Sequence, residues 1–178
     1  RWAEVTGCRV SEGYGLTETS PTVSANPGNG VQIGTIGVPV PGTEVQIRDD
    51  EGNALGLDEA GELYVRGPQV MAGYWQRPEA TTEVIDSDGW FATGDIALVQ
   101  PDGYMRIVDR KKDMIVVSGF NVYPNELEDV LVAHPDVVEG AAIGVPSEST
   151  GEAIRMYVVR SNPDLSKDDV CNLSLIHI

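Results

Sequence analysis

Hydrophobic residues in the first part of the chain alternate with polar ones over short stretches separated by turn residues. This alternation is typical of strands that bury one face. Residues 20–45 are rich in Pro, Gly, Ser and Asn, which indicates loops between short strands. The predicted elements are the strands Val45–Arg48 and Gly61–Val65, a short helix from Pro78 to Val84, and the strands Ile96–Val99 and Tyr104–Val108 around a turn at Pro101-Asp102-Gly103.

The pattern changes after the basic run Arg110-Lys111-Lys112. Leu127, Val130 and Leu131 recur at three- and four-residue spacing, which predicts a helix opened by Pro124. Strands are predicted over Met114–Val117, Ala141–Val145 and Ile154–Arg160, and a last helix is predicted after a cap at Ser166. The order β-α-β-β-α predicts an α+β fold for this part. We place the boundary at the basic run, with a β-rich part over 1–110 and a small α+β domain over 111–178.

Composition narrows the classes of function. The chain has 178 residues and a formal net charge of −16, so nonspecific nucleic-acid binding, which needs basic surfaces, is not expected. No apolar run approaches the roughly 20 residues that span a bilayer. Cys8 and Cys171 have no metal-like spacing and fit a reduced, cytosolic setting. Because Arg1 is not an initiator methionine, we expect the chain to begin inside a longer protein.

The segment from Gly13 to Glu18 carries the densest set of chemically useful groups. The aromatic ring of Tyr14 can stack on a base, and the flanking Gly13 and Gly15 allow a ligand to approach the backbone. Thr17 offers a hydroxyl to phosphate oxygens, and Glu18 is a hard oxygen ligand suited to Mg²⁺. The alternative is a glycine-containing turn with a capping threonine.

Two later segments complete the requirements of a magnesium-nucleotide site. Asp95 can accept from both hydroxyls of a ribose, although it could equally be a turn residue that satisfies its own backbone. Arg110 and Lys112 belong to the strongest basic cluster of an acidic chain, which either attracts anions or is a solvated linker. Gly119, after Ser118, permits either a tight turn or the close approach of a ligand.

Taken together and in this order, these motifs resemble the long-chain fatty acid–CoA ligases of the acyl-adenylate-forming (AMP-binding) superfamily. The resemblance runs from Glu12 to about Cys171. Its most specific stretches are Gly67 to Trp75, Thr93 to Ala97, and Val108 to Pro124.

The resemblance implies roles for individual residues. Gly13, Tyr14, Gly15, Thr17, Asp95 and Arg110 would bind the nucleotide, with Tyr14 against adenine and Asp95 on the ribose. Thr17 would contact the α-phosphate and Glu18 would bind Mg²⁺. Lys112 would be the hinge about which the small domain turns between the two half-reactions. Ser118 and Gly119 would approach the pantetheine arm of CoA.

The implied substrates are a fatty acid, ATP and CoA, with Mg²⁺, in the cytoplasm or at the inner face of a membrane. The family's upstream phosphate loop and its C-terminal catalytic lysine have no counterpart here. We therefore expect an internal fragment without activity of its own, and residues 172–178, which depart from the family pattern, are predicted to be non-native. Two alternatives stay open: a ligase for an aromatic or medium-chain acid, or a non-catalytic nucleotide-binding remnant.

Overall fold

A computed structural model describes residues 2–175. The chain forms two compact units, Arg1–Ile107 and Val108–Ile178. Helices and antiparallel sheets are mixed, which confirms the predicted α+β class. Within the described residues, no helix combines the length and the apolar character needed to cross a bilayer.

The first unit is dominated by strands. Its elements are the helix α1 (Trp2–Thr6), the strands β1 (Gly13–Gly15), β2 (Thr22–Ala25), β3 (Val38–Pro39), β4 (Glu44–Arg48) and β5 (Gly61–Arg66), the helix α2 (Pro78–Val84), and the strands β6 (Phe91–Val99) and β7 (Met105–Arg110). One sheet has the order β1-β2-β3 and the other β4-β5-β6-β7. The strands predicted over 45–48 and 61–65 and the helix from Pro78 to Val84 are confirmed, with strand ends shifted by one residue.

The core of the first unit follows from the alternation within its strands. Leu63 and Val65, two positions apart on β5, are fully buried beside Val23 of β2 and Met105 of β7. Each buried aliphatic side chain of this size stabilises the fold by about 1.5–3 kcal/mol. The two sheets are thereby held around one apolar cluster, which fixes the strands that carry the candidate site.

The second unit is a four-stranded sheet with helices. Its elements are β8 (Ile115–Val117), β9 (Phe120–Val122), α3 (Pro124–Val132), β10 (Val137–Ser147), β11 (Gly151–Arg160) and α4 (Lys167–Leu175). The sheet order is β10-β11-β8-β9. The predicted order β-α-β-β-α is corrected to β-β-α-β-β-α, because Ser118-Gly119 forms a two-residue hairpin turn that leads directly into β9.

Helix α3 packs as its sequence period predicts. Leu127 and Leu131 are buried, while Val130 lies half-buried at the edge of the apolar face. A Cβ atom at Gly140 of β10 would lie 3.0 Å from the Leu131 side chain, so the absence of a side chain there allows the helix to approach the strand. Ser166 caps α4, since its hydroxyl accepts from the Asp169 amide at 3.2 Å and donates to the Asp169 carboxylate at 2.6 Å.

The division between the compact units falls between Ile107 and Val108, inside β7. The functional boundary at the basic run, three residues further on, stays a prediction. The same holds for the non-native character of 172–178, of which residues 176–178 lie outside the described part of the chain.

Candidate active site

Tyr14 and Asp95, which are 81 positions apart in sequence, are in direct contact. The Tyr14 hydroxyl donates to Asp95 Oδ2 at 2.5 Å, and both side chains are half-buried. Hydrogen bonds to a carboxylate are short and roughly twice as strong as neutral ones. A base and its ribose are adjacent in any nucleoside, so groups that bind each of them must lie side by side. Tyr14 and Asp95 lie side by side, which is the arrangement that such a pair would need.

The conformation of β1 depends on a glycine. The pairing of β1 with β2 shifts in register between Tyr14 and Gly15, and the strand passes very close to the start of β2. A Cβ atom at Gly15 would lie 1.6 Å from the Pro21 carbonyl oxygen, which is far inside van der Waals contact. Any other residue at position 15 would require the backbone to move. The position of Tyr14 therefore depends on the close approach of Gly15 to Pro21.

A bulge in β6 presents Asp95. Glu62 of β5 pairs with Ile96 and Tyr64 pairs with Ala92, so that three residues, Thr93 to Asp95, lie opposite one. Bulges redirect side chains and are frequent beside active sites.

Side chains rather than ladder bonds hold this bulge. The Thr93 hydroxyl donates to the Leu63 carbonyl at 2.8 Å and accepts from the Asp95 amide at 3.2 Å. The Gly94 amide donates to Glu62 Oε1 at 3.2 Å. Glu62 is 8% exposed. Glu62 is not predictable as a site residue from the sequence, because a single glutamate in a strand pattern carries no local signal of such a role.

The turn between β1 and β2 contains two threonines, of which one is buried and stabilises the turn and the other is exposed. Thr19 is fully buried, accepts from the Leu16 amide at 2.9 Å and donates to the Pro21 carbonyl at 2.8 Å. The capping threonine, which was the alternative interpretation of this turn, is therefore Thr19. Thr17 is exposed, and its hydroxyl has no hydrogen bond within residues 2–175. It is the residue of this turn that can contact a ligand.

Glu18 is held at two points by the segment that follows β5. Its Oε1 accepts from the Tyr74 hydroxyl at 2.9 Å, and its main-chain carbonyl accepts from the Met71 amide at 2.8 Å. Burial and, next, the hydrogen bond to Glu18 raise the pKa of Tyr74 above its usual value. Tyr74 therefore stays protonated and donates over a wide range of pH. The sequence motif 67–75 contained Tyr74, but nothing local connected it with Glu18.

The surroundings of Glu18 suit a cation shared with a ligand. Among the described residues, no group of three or more His, Cys, Asp or Glu side chains could hold a metal ion. Mg²⁺ usually takes one or two carboxylates and completes its shell with water and substrate phosphates. A half-buried carboxylate with one oxygen engaged by Tyr74 fits that mode of binding.

The basic run lies in the second unit, at a short 3-10 turn over Lys111–Asp113. Arg110 and Lys112 are exposed. Just before them, Asp109 is 4% exposed and accepts from the Arg110 amide at 2.7 Å and the Asn125 amide at 3.0 Å. Asn125 is the second residue of α3, and Tyr123, at the N-cap position, makes no side-chain capping hydrogen bond. Asp109 therefore caps the N-terminus of this helix instead. The run is thereby anchored to α3.

Ser118 and Gly119 form the hairpin turn between β8 and β9. Their φ angles are 52° and 84°, and a turn with two positive φ values matches the twist of the flanking strands. The turn interpretation is confirmed, and both residues are exposed. Beside them, Phe120 is 76% exposed at a groove of about 870 Å³ that Val122 and Val130 also line. Phe120 was not among the residues predicted from the sequence.

The chain thus combines a strand-rich unit, which holds the contact between Tyr14 and Asp95, with a small α+β unit, and both parts match known family models. The model of the AMP-binding enzymes matches residues 1–75, and the model of their C-terminal domain matches residues 126–174. Together they cover more than half of the chain. The chain belongs to the AMP-binding enzyme family.

Individual relatives are similar over nearly the whole chain. A long-chain-fatty-acid–CoA ligase of Salmonella typhimurium is 56% identical over 179 residues, which is 100% of this chain and 32% of the relative. 4-Coumarate–CoA ligase 1 of Arabidopsis thaliana is 40% identical over 175 residues, covering 94% of this chain and 31% of the relative. The chain spans about a third of the length of these curated relatives.

A solved structure of ATP-bound MatB from Rhodopseudomonas palustris matches the fold. It has a TM-score of 0.90 and 37% identity over 99% of this chain, which covers 36% of that protein.

Proposed function

We propose that this chain is part of an ATP-dependent acid–thiol ligase that activates a long-chain fatty acid and transfers it to CoA. The observation that carries the proposal is the 56% identity, over the full length of this chain, to a long-chain-fatty-acid–CoA ligase. The contact between Tyr14 and Asp95 supports it, because a nucleoside requires a base-stacking group beside a ribose acceptor.

The reaction has two steps. In the first, a carboxylate oxygen of the fatty acid attacks the α-phosphorus of ATP, the bond to the bridging oxygen breaks, and pyrophosphate leaves. In the second, the sulfur of CoA attacks the acyl carbonyl carbon, the thiol loses its proton, and AMP leaves. The first step brings two anions together, so its rate depends on groups that neutralise charge in the transition state.

In the first unit we assign nucleotide binding to the β1 turn and the β6 bulge. Tyr14, which lies between Gly13 and Gly15, stacks on adenine. Asp95 accepts hydrogen bonds from the ribose hydroxyls. Thr17, whose hydroxyl is exposed, donates to an α-phosphate oxygen. Glu18 would hold Mg²⁺, and the bound cation would supply electrostatic stabilisation of the charge that develops in the transition state.

In the second unit we assign Arg110, at the end of β7, to the nucleotide, Lys112 of the 3-10 turn to the hinge, and the β8–β9 hairpin to CoA. Arg110 contacts the nucleotide with its planar guanidinium group. Lys112, exposed in a turn of three residues, acts as the hinge of the catalytic cycle, since a few residues outside regular structure can absorb a large change in φ and ψ. Ser118 and Gly119 approach the pantetheine arm.

A second candidate function is activation of an aromatic acid. The observation that supports it is the 40% identity to 4-coumarate–CoA ligase 1. A third, nucleotide binding without catalysis, would keep Tyr14 and Asp95 but not the transfer of an acyl group. For the cellular setting we propose the cytoplasm or the inner face of a membrane, where fatty acids arrive.

The test uses a full-length ligase that contains this segment and the exchange of labelled pyrophosphate into ATP. Palmitate should drive the exchange and 4-coumarate should not, and Tyr14→Ala or Asp95→Ala should each reduce it at least tenfold. A preference for 4-coumarate would favour the second function. Exchange that is unchanged in both variants would contradict the assigned nucleotide site, and binding of ATP without exchange would favour the third function.

A further inference from the structure

The geometry points to Tyr74 as a positioning residue that presents the Glu18 carboxylate to the divalent cation. The inference rests on the proposed function, since it concerns how the same site holds its metal. Tyr74 need not touch the reacting atoms. Its effect is exerted through Glu18.

The contacts of Glu18 allow only a narrow range of orientations. The Tyr74 hydroxyl engages Oε1 at 2.9 Å, and the Met71 amide engages the main-chain carbonyl at 2.8 Å. Both contacts come from one segment of four residues, 71–74. Since the side chain and the backbone of Glu18 are fixed by the same segment, Oε2 is left pointing in a defined direction as the oxygen for a cation.

The chemistry of the partner matters as much as its position. A phenol is a neutral donor at physiological pH, so it orients the carboxylate without cancelling its negative charge. An arginine or lysine in the same place would orient Glu18 but would also compete with Mg²⁺. No salt bridge to Glu18 exists among the described residues. No cationic side chain in the described part of the chain therefore competes with a metal ion for Glu18, and one of its carboxylate oxygens already accepts a hydrogen bond.

Helix α2 holds the segment that carries Tyr74. The Tyr74 amide donates to the Thr81 hydroxyl at 2.9 Å, and that hydroxyl donates to the Arg77 carbonyl at 2.9 Å. The Arg77 amide in turn donates to the Tyr74 carbonyl at 3.1 Å. Both the amide and the carbonyl of Tyr74 are thus hydrogen-bonded, which restricts the backbone that carries its side chain. Hydrogen-bonded partners of a metal ligand of this kind typically change metal affinity 10- to 100-fold when removed.

The decisive variant is Tyr74→Phe in a full-length ligase that contains this segment. It removes one oxygen and keeps the ring of a residue that is 36% exposed. The matched control is Tyr104→Phe, which also loses one hydroxyl that donates to the protein, at the Gly30 carbonyl. The probe is Mn²⁺, whose free concentration is followed by electron paramagnetic resonance in the presence of α,β-methylene ATP. Acyl-AMP formation is measured in parallel as a function of Mg²⁺.

We expect Tyr74→Phe to weaken Mn²⁺ binding about tenfold, while Tyr104→Phe leaves it within twofold. Excess Mg²⁺ should restore acyl-AMP formation in Tyr74→Phe but not in Glu18→Gln, which loses the charged ligand itself. Unchanged Mn²⁺ affinity in Tyr74→Phe, with normal acyl-AMP formation by the unmodified enzyme, overturns the inference alone. An unmodified enzyme that neither binds Mn²⁺ with the analogue nor forms acyl-AMP overturns the proposed function and the inference with it.

Discussion

The bulge that presents Asp95 should depend on the acceptor oxygen of Glu62. Replacing Glu62 by alanine removes the partner of the Gly94 amide, which then lies in a half-buried position without its acceptor. Loss of a hydrogen bond to a charged group costs about 1.5–3 kcal/mol. The distance of 3.2 Å is at the long end of the range for such bonds, and the desolvation cost of the buried carboxylate disappears with it. We therefore expect a loss of about 1–2 kcal/mol in the free energy of unfolding.

The assay is urea unfolding of this chain followed by tryptophan fluorescence. Trp90 is 6% exposed and lies one residue before β6, whereas the other two tryptophans, Trp2 and Trp75, are 60% and 88% exposed, so the change in emission reports mainly on the region around the bulge. Glu62→Gln keeps an acceptor oxygen and should lose less than Glu62→Ala. Glu51→Ala, at an exposed turn position, is the control and should change stability by no more than about 0.5 kcal/mol.

Two results would refute this reasoning. Equal urea midpoints for Glu62→Ala and Glu51→Ala would mean that the hydrogen bond to Gly94 does not stabilise the bulge. A Glu62→Gln variant as unstable as Glu62→Ala would mean that the charge, rather than the acceptor, is what matters. Binding of ATP to a full-length ligase with Glu62→Ala should also weaken, because Asp95 would lose its fixed orientation.

The remaining predictions concern the β1 turn and the hinge. Gly15→Ala should destabilise the first unit by about 1–3 kcal/mol or more, because its Cβ would overlap the Pro21 carbonyl; Gly28→Ala, whose Cβ would meet nothing within 4 Å, is the control in thermal unfolding. Lys112→Pro in a full-length ligase should slow thioester formation more than acyl-AMP formation, because proline fixes φ, whereas Lys112→Ala should spare the motion. Rapid-quench measurement of the two half-reactions tests this, and equal losses in both would argue against a hinge at Lys112.

Much of the secondary structure followed from local sequence. The helix Pro78–Val84 has the predicted bounds, and Pro124 begins α3 as expected, because proline at the first helical position lacks only an amide that needs no intrahelical partner. One of the elements that the sequence did not predict is β9. Its three residues, Phe120–Val122, are too few to show a period, and only their pairing with β8 across the Ser118-Gly119 turn makes them a strand.

The sequence by itself determined which residue types were available for a nucleotide site: an aromatic ring between glycines, a hydroxyl, and carboxylates at Glu18 and Asp95. Only the tertiary structure decided which of them meet. The contacts from Tyr14 to Asp95, from Tyr74 to Glu18 and from Glu62 to Gly94 join positions 81, 56 and 32 residues apart. Local periodicity reflects the face that a segment buries, whereas such contacts arise only when sheet register and bulges bring distant strands together.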